Sequence, residues 1–382
     1  MSGSVMFYVQ HLLGIGHVMR AAAIVREITR RGVPVTLVSG GEAVAMLDLN
    51  GAGFIQLPPA KAVDKTFKPL YDEESRPIND AWRERRRRRL IEAFENLRPS
   101  VLVIELFPFG RRQFRFELIP LLEAAKAARP RPHIISSVRD ILVEKKKRER
   151  NLEMLELAQA HFDAVMIHGD PDFISFDATF PLARRLDGKL RYTGYVVDNA
   201  RAAASGGTQG SGEVIVSTGG GGVGEELLRA ALAARPLCSL RDVTWRLLVG
   251  HNLPEERLRA LIAEAPAGFI IERARADFGT LLANCRLSIS QGGYNTVMEV
   301  LAANAPNIIV PYAGAEESEQ TLRARLLEER GLARVLNEAA LSPATLAAAV
   351  DSAPPSPTFS NAPLIDMNGA SVSADFIVCR AK

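Results

Sequence analysis

Residues 287 to 320 hold the densest set of side chains with chemical use. An apolar run, Leu287-Ser288-Ile289-Ser290, meets the turn Gln291-Gly292-Gly293. A stretch of helical periodicity carrying Asn295, Thr296 and Glu299 follows. The pattern predicts a buried strand, a tight turn and a helix over Thr296 to Ala303. Glycines have no Cβ, so the N–H groups of such a turn can approach a ligand closely. Those groups and the helix dipole together favour a phosphate there. Glu299 falls one turn into the helix, where a carboxylate accepts hydrogen bonds from a sugar diol. A second apolar run, Ile308-Ile309-Val310-Pro311, leads on to Glu319 and Gln320. A Gly-Gly turn by itself also suits any ordinary strand–turn–helix, so the reading depends on its partners.

One partner is Thr218-Gly219-Gly220-Gly221-Gly222-Val223-Gly224, with five glycines in six residues ahead of a helix from Glu225. That density is unfavourable in regular structure and implies backbone access. The Lys-Ser/Thr ending of a P-loop is missing, so a non-covalent phosphate cradle fits better than nucleotide hydrolysis. Another partner is Gly14-Ile15-Gly16-His17, after the first apolar run. Met19 stands where a dinucleotide fingerprint needs its third glycine, and Val38-Ser39-Gly40 ends the second strand without an acid. A nicotinamide reading therefore loses its ribose hook. What remains is a glycine loop presenting His17, whose imidazole suits proton abstraction from a hydroxyl. A capping or core histidine is the plain alternative. Glu105 ends the strand Val101-Leu102-Val103-Ile104, at a carboxyl end where open α/β sheets bind ligands. It could orient the imidazole as the third member of a triad does, or form a structural ion pair with Arg111 or Arg112. Asp140 competes for the orienting role.

The elements that must position these residues alternate as strand and helix. Strands are predicted at Val5 to Val9, Val33 to Val38, Phe54 to Leu57, Val101 to Leu106, His133 to Val138 and Ala164 to Ile167. Helices fall at Val18 to Arg30, Asp80 to Leu97, Phe116 to Ala128 and Glu144 to Gln159, with a short one ending at Leu49. Pro58 to Pro77 reads as a surface loop. The same alternation restarts at Val214 to Ser217 and continues to the helix at Pro343 to Val350. Between the halves, small and flexible residues mark a linker. The expected plan is residues 1–197 as a first Rossmann-like domain, 198–212 as linker, 213–360 as a second Rossmann-like domain and 361–382 as a tail. The fold class is α/β, two Rossmann-like domains facing a cleft. A chain of 382 residues is long for one core.

Composition excludes several classes. Lys+Arg 47 against Asp+Glu 44 leaves +3, which gives no nucleic-acid footprint. Cys238, Cys285 and Cys379 lack metal-ligand spacing and suggest a reducing compartment. No basic leader segment and no apolar run of about 20 residues is present. A cytoplasmic protein is expected. The basic run Arg85 to Arg89, with the Lys145 to Arg148 run, reads either as solvated helix faces or as a patch touching an anionic membrane.

Together these motifs resemble the MurG-like, UDP-sugar-dependent inverting glycosyltransferases of the GT-B fold. That group is itself similar to the UDP-glucuronosyl and plant UDP-sugar transferases and the monogalactosyldiacylglycerol synthases. The resemblance is strongest from Val214 to about Leu336, and in the first half at Gly14 to Ala22. It implies that Thr218 and Gly219 to Gly222 meet the donor diphosphate and that Ile271-Glu272-Arg273 offers backbone groups to uracil. It further implies that Gly292, Gly293, Asn295 and Thr296 hold phosphate, and that Glu299 takes the ribose hydroxyls. Glu319-Gln320 would read the donor sugar. In the first half Gly14 and Gly16 would form the acceptor loop, with His17 as general base and Glu105 as its acid partner. Gln291 replaces the usual Ser or His at the phosphate turn, and the residues before Gln320 lack the usual His or Asp.

The implied enzyme moves a hexose from a nucleotide-diphosphate sugar to a hydroxyl on a small-molecule or lipid-linked acceptor, with inversion. It needs no metal and no cofactor, since the nucleotide sugar is itself the substrate. A nucleotide-sugar 2-epimerase of the same fold and a non-catalytic nucleotide-sugar-binding protein remain as alternatives.

Overall fold

The computed structural model describes residues 3–44, 47–62, 69–142, 148–197, 207–219, 224–314, 318–353 and 365–382. It divides into two units, Met1–Val196 with Ile365–Lys382, and Val197–Leu364.

Unit 1 opens with β1 (Val5–Val9), α1 (Gly16–Arg30), β2 (Val35–Ser39) and β3 (Gly53–Gln56). A small antiparallel pair, β4 (Lys61–Ala62) and β5 (Leu70–Tyr71), precedes α2 (Asp80–Leu97). Then come β6 (Val101–Glu105), α3 (Arg115–Ala127), β7 (His133–Arg139), α4 (Arg148–His161), β8 (Ala164–His168) and β9 (Leu190–Tyr192). Seven strands pair in the order β3-β2-β1-β6-β7-β8-β9, parallel throughout. Parallel sheets carry helices on both faces, so their strands read as continuous apolar runs. In β1 the alternate residues serve two cores: Val5, Phe7 and Val9 pack with α1 residues such as Ile24 and Ile28. Met6 and Tyr8 pack with Leu90, Phe94 and Leu118 from α2 and α3.

Unit 2 repeats the scheme with β10 (Val214–Ser217), α5 (Glu225–Ala234), β11 (Trp245–Val249), α6 (Glu255–Glu264), β12 (Phe269–Arg273) and α7 (Phe278–Asn284). β13 (Leu287–Ser290), α8 (Tyr294–Ala302), β14 (Asn307–Ile309), α9 (Glu319–Glu329), β15 (Arg334–Val335) and α10 (Pro343–Asp351) complete it. The sheet order is β12-β11-β10-β13-β14-β15, again parallel.

Several expectations need correction. The tail expected at 361–382 ends in a helix, α11 (Gly369–Ala381), which belongs to unit 1. Its Ala370, Ala374 and Ile377 join the core formed with α1, and Arg31 pairs with Asp375 at 2.7 Å. An apolar face every third or fourth residue is what carries it there. Of the linker, 207–212 is tied into unit 2, where Asn284 Nδ2 donates to the Gly207 and Gln209 carbonyls at 2.9 and 3.1 Å. Residues 198–206 lie outside the described residues. The loop expected at Pro58 to Pro77 contains the β4–β5 pair, with Ala60 and Leu70 buried. Among the described residues before Leu49, no short helix forms.

The basic run of α2 is the largest correction. Trp82, Arg86, Leu90 and Phe94 recur at helical spacing on the buried face, so Arg86 points into the core. It is 0% exposed and meets Glu117, also 0% exposed, through Nε–Oε2 at 2.7 Å and Nη2–Oε1 at 2.8 Å. Tyr8 donates to the same carboxylate at 2.6 Å. Arg86 Nη1 donates to the Gly40 and Pro58 carbonyls, each at 2.8 Å, and the guanidinium lies 5.3 and 5.0 Å from the Trp82 and Phe114 rings. Arg85 and Arg87 pair with Glu73 and Glu84, and Arg89 donates to the Gln56 carbonyl. The expected membrane patch therefore loses Arg86 to the core and much of the rest to local pairing. The Lys145 to Lys147 part of the other run lies outside the described residues.

Breaking one side of a buried ion pair leaves the other charge stranded, at about 3–5 kcal/mol. Arg86→Leu is expected to lower the unfolding free energy by about that amount in a denaturant titration, whereas Arg88→Leu on the exposed face changes it by less than about 0.5 kcal/mol.

Candidate active site

Where a doubly wound parallel sheet reverses direction, the flanking crossovers leave on opposite faces and open a crevice at the strand carboxyl ends. In unit 1 the reversal lies between β1 and β6, and in unit 2 between β10 and β13. Both sets of candidate residues fall at these points.

In unit 1, β1 runs into the loop that ends at α1, and His17 sits in the first helical turn. Glu105 is the last residue of the neighbouring strand β6 and is 1% exposed. His17 Nδ1 lies 3.0 Å from Glu105 Oε1. An ionised carboxylate only accepts, so Nδ1 carries the proton and Nε2 keeps a lone pair. The imidazole retains 16% of its surface. A Cβ built on Gly14 would meet nothing within 4 Å, so the loop beside the imidazole is open there, and Gly16 begins α1. Glu105 also pairs with Arg20 of α1, a buried partner the sequence did not suggest. Ser137 Oγ donates to Oε2 at 2.5 Å. Neither Arg111 nor Arg112 forms the expected pair: Arg111 Nε donates to the Gln10 carbonyl at 2.7 Å, and Arg112 pairs with Glu153. Asp140 accepts from the Tyr195 hydroxyl at 2.7 Å, which leaves Glu105 as the residue that orients His17.

Charge around the pair has a clear sign. Burial, then the Arg111 and Arg20 guanidinium groups, push His17 down to about 3 against the pull of Glu105. Burial alone would raise Glu105. The Arg20 charge and the hydrogen bond from His17 overcome it and hold the carboxyl far below its usual range. The imidazole is thus neutral, and the carboxylate ionised, across physiological pH.

In unit 2, β10 ends at Thr218-Gly219 and β13 at Gln291-Gly292-Gly293. Gly219 (φ +68) and Gly224 (φ +105) occupy the left-handed region that glycine adopts readily. A Cβ on Gly219 would lie 3.4 Å from Thr296 Oγ1, so the glycine loop and the start of α8 are neighbours. A Cβ on Gly224 would meet Thr218 at 2.7 Å and Gln291 Nε2 at 2.9 Å. Buried Thr218 and Gln291 therefore shape the loop. Gly220, Gly221 and Gly222 lie outside the described residues. Gly293 is the residue before α8 and offers no side-chain cap. Asn295 and Thr296 are in its first turn, and Glu299 shares a face with Thr296 at i,i+3. The turn is braced from behind: Arg323 Nη1 donates to the Gly292 carbonyl at 3.2 Å and Nη2 to Glu319 at 2.9 Å.

The expected sugar-reading pair takes part in that bracing. Glu319 is 3% exposed and held by Arg323. Gln320 packs on Gly292, whose Cβ would lie 3.2 Å from its own, and its Oε1 accepts from the Tyr312 N–H at 3.1 Å. Both residues set the turn's shape. Arg273 ends β12, and its side chain is taken by the Gly250 and Leu253 carbonyls and by Glu255, leaving the strand-end backbone.

The Gly turn, the glycine loop and the α8 start thus share one end of the second sheet. Residues 214–378 match the glycosyltransferase family 28 C-terminal domain. The matched segment runs from β10 through unit 2 into α11. The transferase named UDP-N-acetylglucosamine–N-acetylmuramyl-(pentapeptide) pyrophosphoryl-undecaprenol N-acetylglucosamine transferase is similar in two organisms. The Granulibacter bethesdensis protein is 32% identical over 169 residues, 41% of this chain and 43% of its own length. The Ralstonia nicotianae protein is 34% identical over 143 residues, 36% and 39% respectively. The chain thus spans less than half the length of either relative. Over nearly the whole chain, the calicheamicin glycosyltransferase CalG4 superposes with a TM-score of 0.61 at 17% identity, covering 100% of this chain and 96% of that one. Acinetobacter baumannii MurG superposes at 0.54 and 16%, covering 97% and 94%. The chain has the GT-B fold, two Rossmann-like units, and its resemblance is MurG-like.

His17 and His168, each pushed down to about 3 chiefly by burial, stay neutral in the folded protein. The unfolded chain binds protons near pH 6.5 that the native state does not. Their stabilising contribution is therefore complete above pH 6.5 and is lost as pH falls toward 3, by up to about 1.4 kcal/mol per unit per histidine. Melting temperature is expected to fall steadily from pH 7 to pH 5, and less steeply in a folded His168→Gln variant.

Proposed function

We propose that the protein is a glycosyltransferase that moves a hexose from a nucleotide-diphosphate sugar, a UDP-sugar, to an acceptor hydroxyl with inversion. The observation that carries the reading is the 3.0 Å contact between His17 Nδ1 and Glu105 at the reversal of the first sheet. It leaves Nε2 unprotonated on an imidazole that keeps 16% of its surface. The match of residues 214–378 supplies the donor side.

In this mechanism the donor diphosphate rests against Gly219, Gly292, Gly293 and the start of α8. Asn295 and Thr296 lie beside it, and Glu299 takes ribose hydroxyls. His17 Nε2 takes the proton of the acceptor hydroxyl as its oxygen attacks the anomeric carbon. The C–O bond to the diphosphate breaks on the opposite face, and configuration inverts. Glu105 stabilises the imidazolium that forms. Helix N–H groups neutralise the charge that grows on the leaving diphosphate, so the step asks for no metal. The acceptor is a small molecule or a lipid-linked sugar. Three free cysteines fit a cytoplasmic setting, and among the described residues no helix is long and apolar enough to cross a membrane.

A thermal-shift screen against UDP-, GDP- and dTDP-sugars should single out UDP-sugars, since a ligand bound to the native state raises the melting temperature. Glu299→Ala should abolish that shift. His17→Ala should lower transfer by about 10²–10⁴-fold with the donor shift intact. Transfer should survive EDTA. Conversion of UDP-N-acetylglucosamine without any acceptor would mark an epimerase instead. Unchanged transfer in His17→Ala would remove the base.

A further inference from the structure

The sheet register places a line of polar side chains behind Glu105 that the transfer mechanism does not use. Glu105 pairs with Ser137 across β6 and β7. Met166 stands opposite Ser137 on β8, and His168 lies two residues on, on the same face. Ser137 Oγ lies 2.5 Å from Glu105 Oε2 and 2.8 Å from His168 Nε2. On its far side, His168 Nδ1 lies 2.9 Å from Thr193 Oγ1 and 3.4 Å from Ser373 Oγ of α11. Ser137, His168 and Ser373 are 0% exposed, and Thr193 2%.

Counting protons fixes the directions next to Glu105. The Glu105 carboxylate only accepts, so Ser137 spends its one proton on Oε2. Ser137 must then accept from His168, which places the His168 proton on Nε2. His168 Nδ1 is left as an acceptor facing the Thr193 and Ser373 hydroxyls, and Thr193 Oγ1 also reaches the Ile167 and Gly194 carbonyls. At the other end, His17 Nδ1 donates to Oε1.

We propose that Ser137 and His168 are positioning residues that hold the Glu105 carboxylate in the orientation that presents the unprotonated Nε2 of His17 to the acceptor. This rests on His17 being the base. Without them Glu105 keeps its pairing with Arg20, on the same oxygen that His17 uses, and nothing fixes the second oxygen. Arg20 Nη2 lies 3.2 Å from His17 Nδ1, so a small rotation of the carboxylate exchanges one partner for the other. The titratable groups facing the pair are Arg20 from α1, Arg111 after β6 and His168 from β8. The two arginines are cationic and His168 is neutral, and among the described residues Ser137 and His168 act from behind the carboxylate. Loss of the Ser137 hydrogen bond concentrates negative charge on Oε1 and makes His17 more basic.

The test has one arm that requires no transfer. ¹⁵N imidazole NMR, assigned with His17→Gln and His168→Gln, should show His168 protonated at Nε2 and His17 at Nδ1, neither titrating between pH 8 and pH 5. In Ser137→Ala the His17 titration should rise into a measurable range, and Ser137→Thr, which keeps the hydroxyl, should restore it. The kinetic arm uses the donor and acceptor found for the wild type. Ser137→Ala should lower kcat about tenfold with KM for the donor little changed. The same change in a Glu105→Gln background should add nothing further. Additive losses, or an unchanged pH profile with lower activity, would reduce Ser137 to a packing residue and overturn the proposal. A wild-type His168 that titrates near 6.5 or carries its proton on Nδ1 also overturns it, and that result stands even if Ser137→Ala does not fold. If the spectra come out as expected and no transfer is found with any substrate, the relay stands and the base assignment falls.

Discussion

A parallel sheet cannot be wound in one direction only without leaving one of its faces bare. Each half of this chain reverses once, and at the reversal two adjacent strand ends lose the crossover that would cover them. β1 and β6 in one unit, and β10 and β13 in the other, end at such openings. Backbone topology alone therefore provides two places where side chains can converge without a helix above them. An imidazole held by a carboxylate stands at one. Glycine turns ahead of a helix stand at the other.

Around the first opening, burial is balanced by charge. A carboxylate as enclosed as Glu105 would be protonated in an apolar pocket. Here Arg20, His17 and Ser137 each reach one of its two oxygens. The price is that the imidazole beside two arginines resists protonation. Around the second opening the logic differs. The glycine turns there are backbone, and the side chains near them, Thr218, Gln291, Glu319, Gln320 and Arg323, brace them. Arg323 links the Gly292 carbonyl to Glu319, so the Gly292 turn is fixed by an ion pair that lies behind it.

Local signals were legible in the sequence, and pairings across the fold were not. The strands Val5–Val9 and Val214–Ser217 and the helix Asp80–Leu97 follow their apolar periodicity to the residue. His17 and Glu105 were visible because a glycine loop and a strand end mark them. Arg20 was not, since its partner is 85 positions away. Ser137 and His168 read as ordinary strand residues until the register of three strands set them in line. Arg86 was read as part of a basic surface because four neighbouring arginines suggest one. Its place on the same stripe as Trp82 and Leu90 was the signal to the contrary. Glu319 has a buried partner that the sequence pattern did not mark, Arg323 one turn along the same helix. The final helix returns to unit 1 through its small apolar face, a long-range choice that no local pattern records.

The account depends most on His17 acting as a base in a single displacement, with the diphosphate leaving from the opposite face. The stereochemistry of the product reports that directly. Transfer from the α-linked nucleotide sugar that the protein binds, followed by ¹H NMR of the new glycosidic linkage, should give the β anomer from the first turnover. An α-linked product would mean retention and would contradict the role assigned to His17.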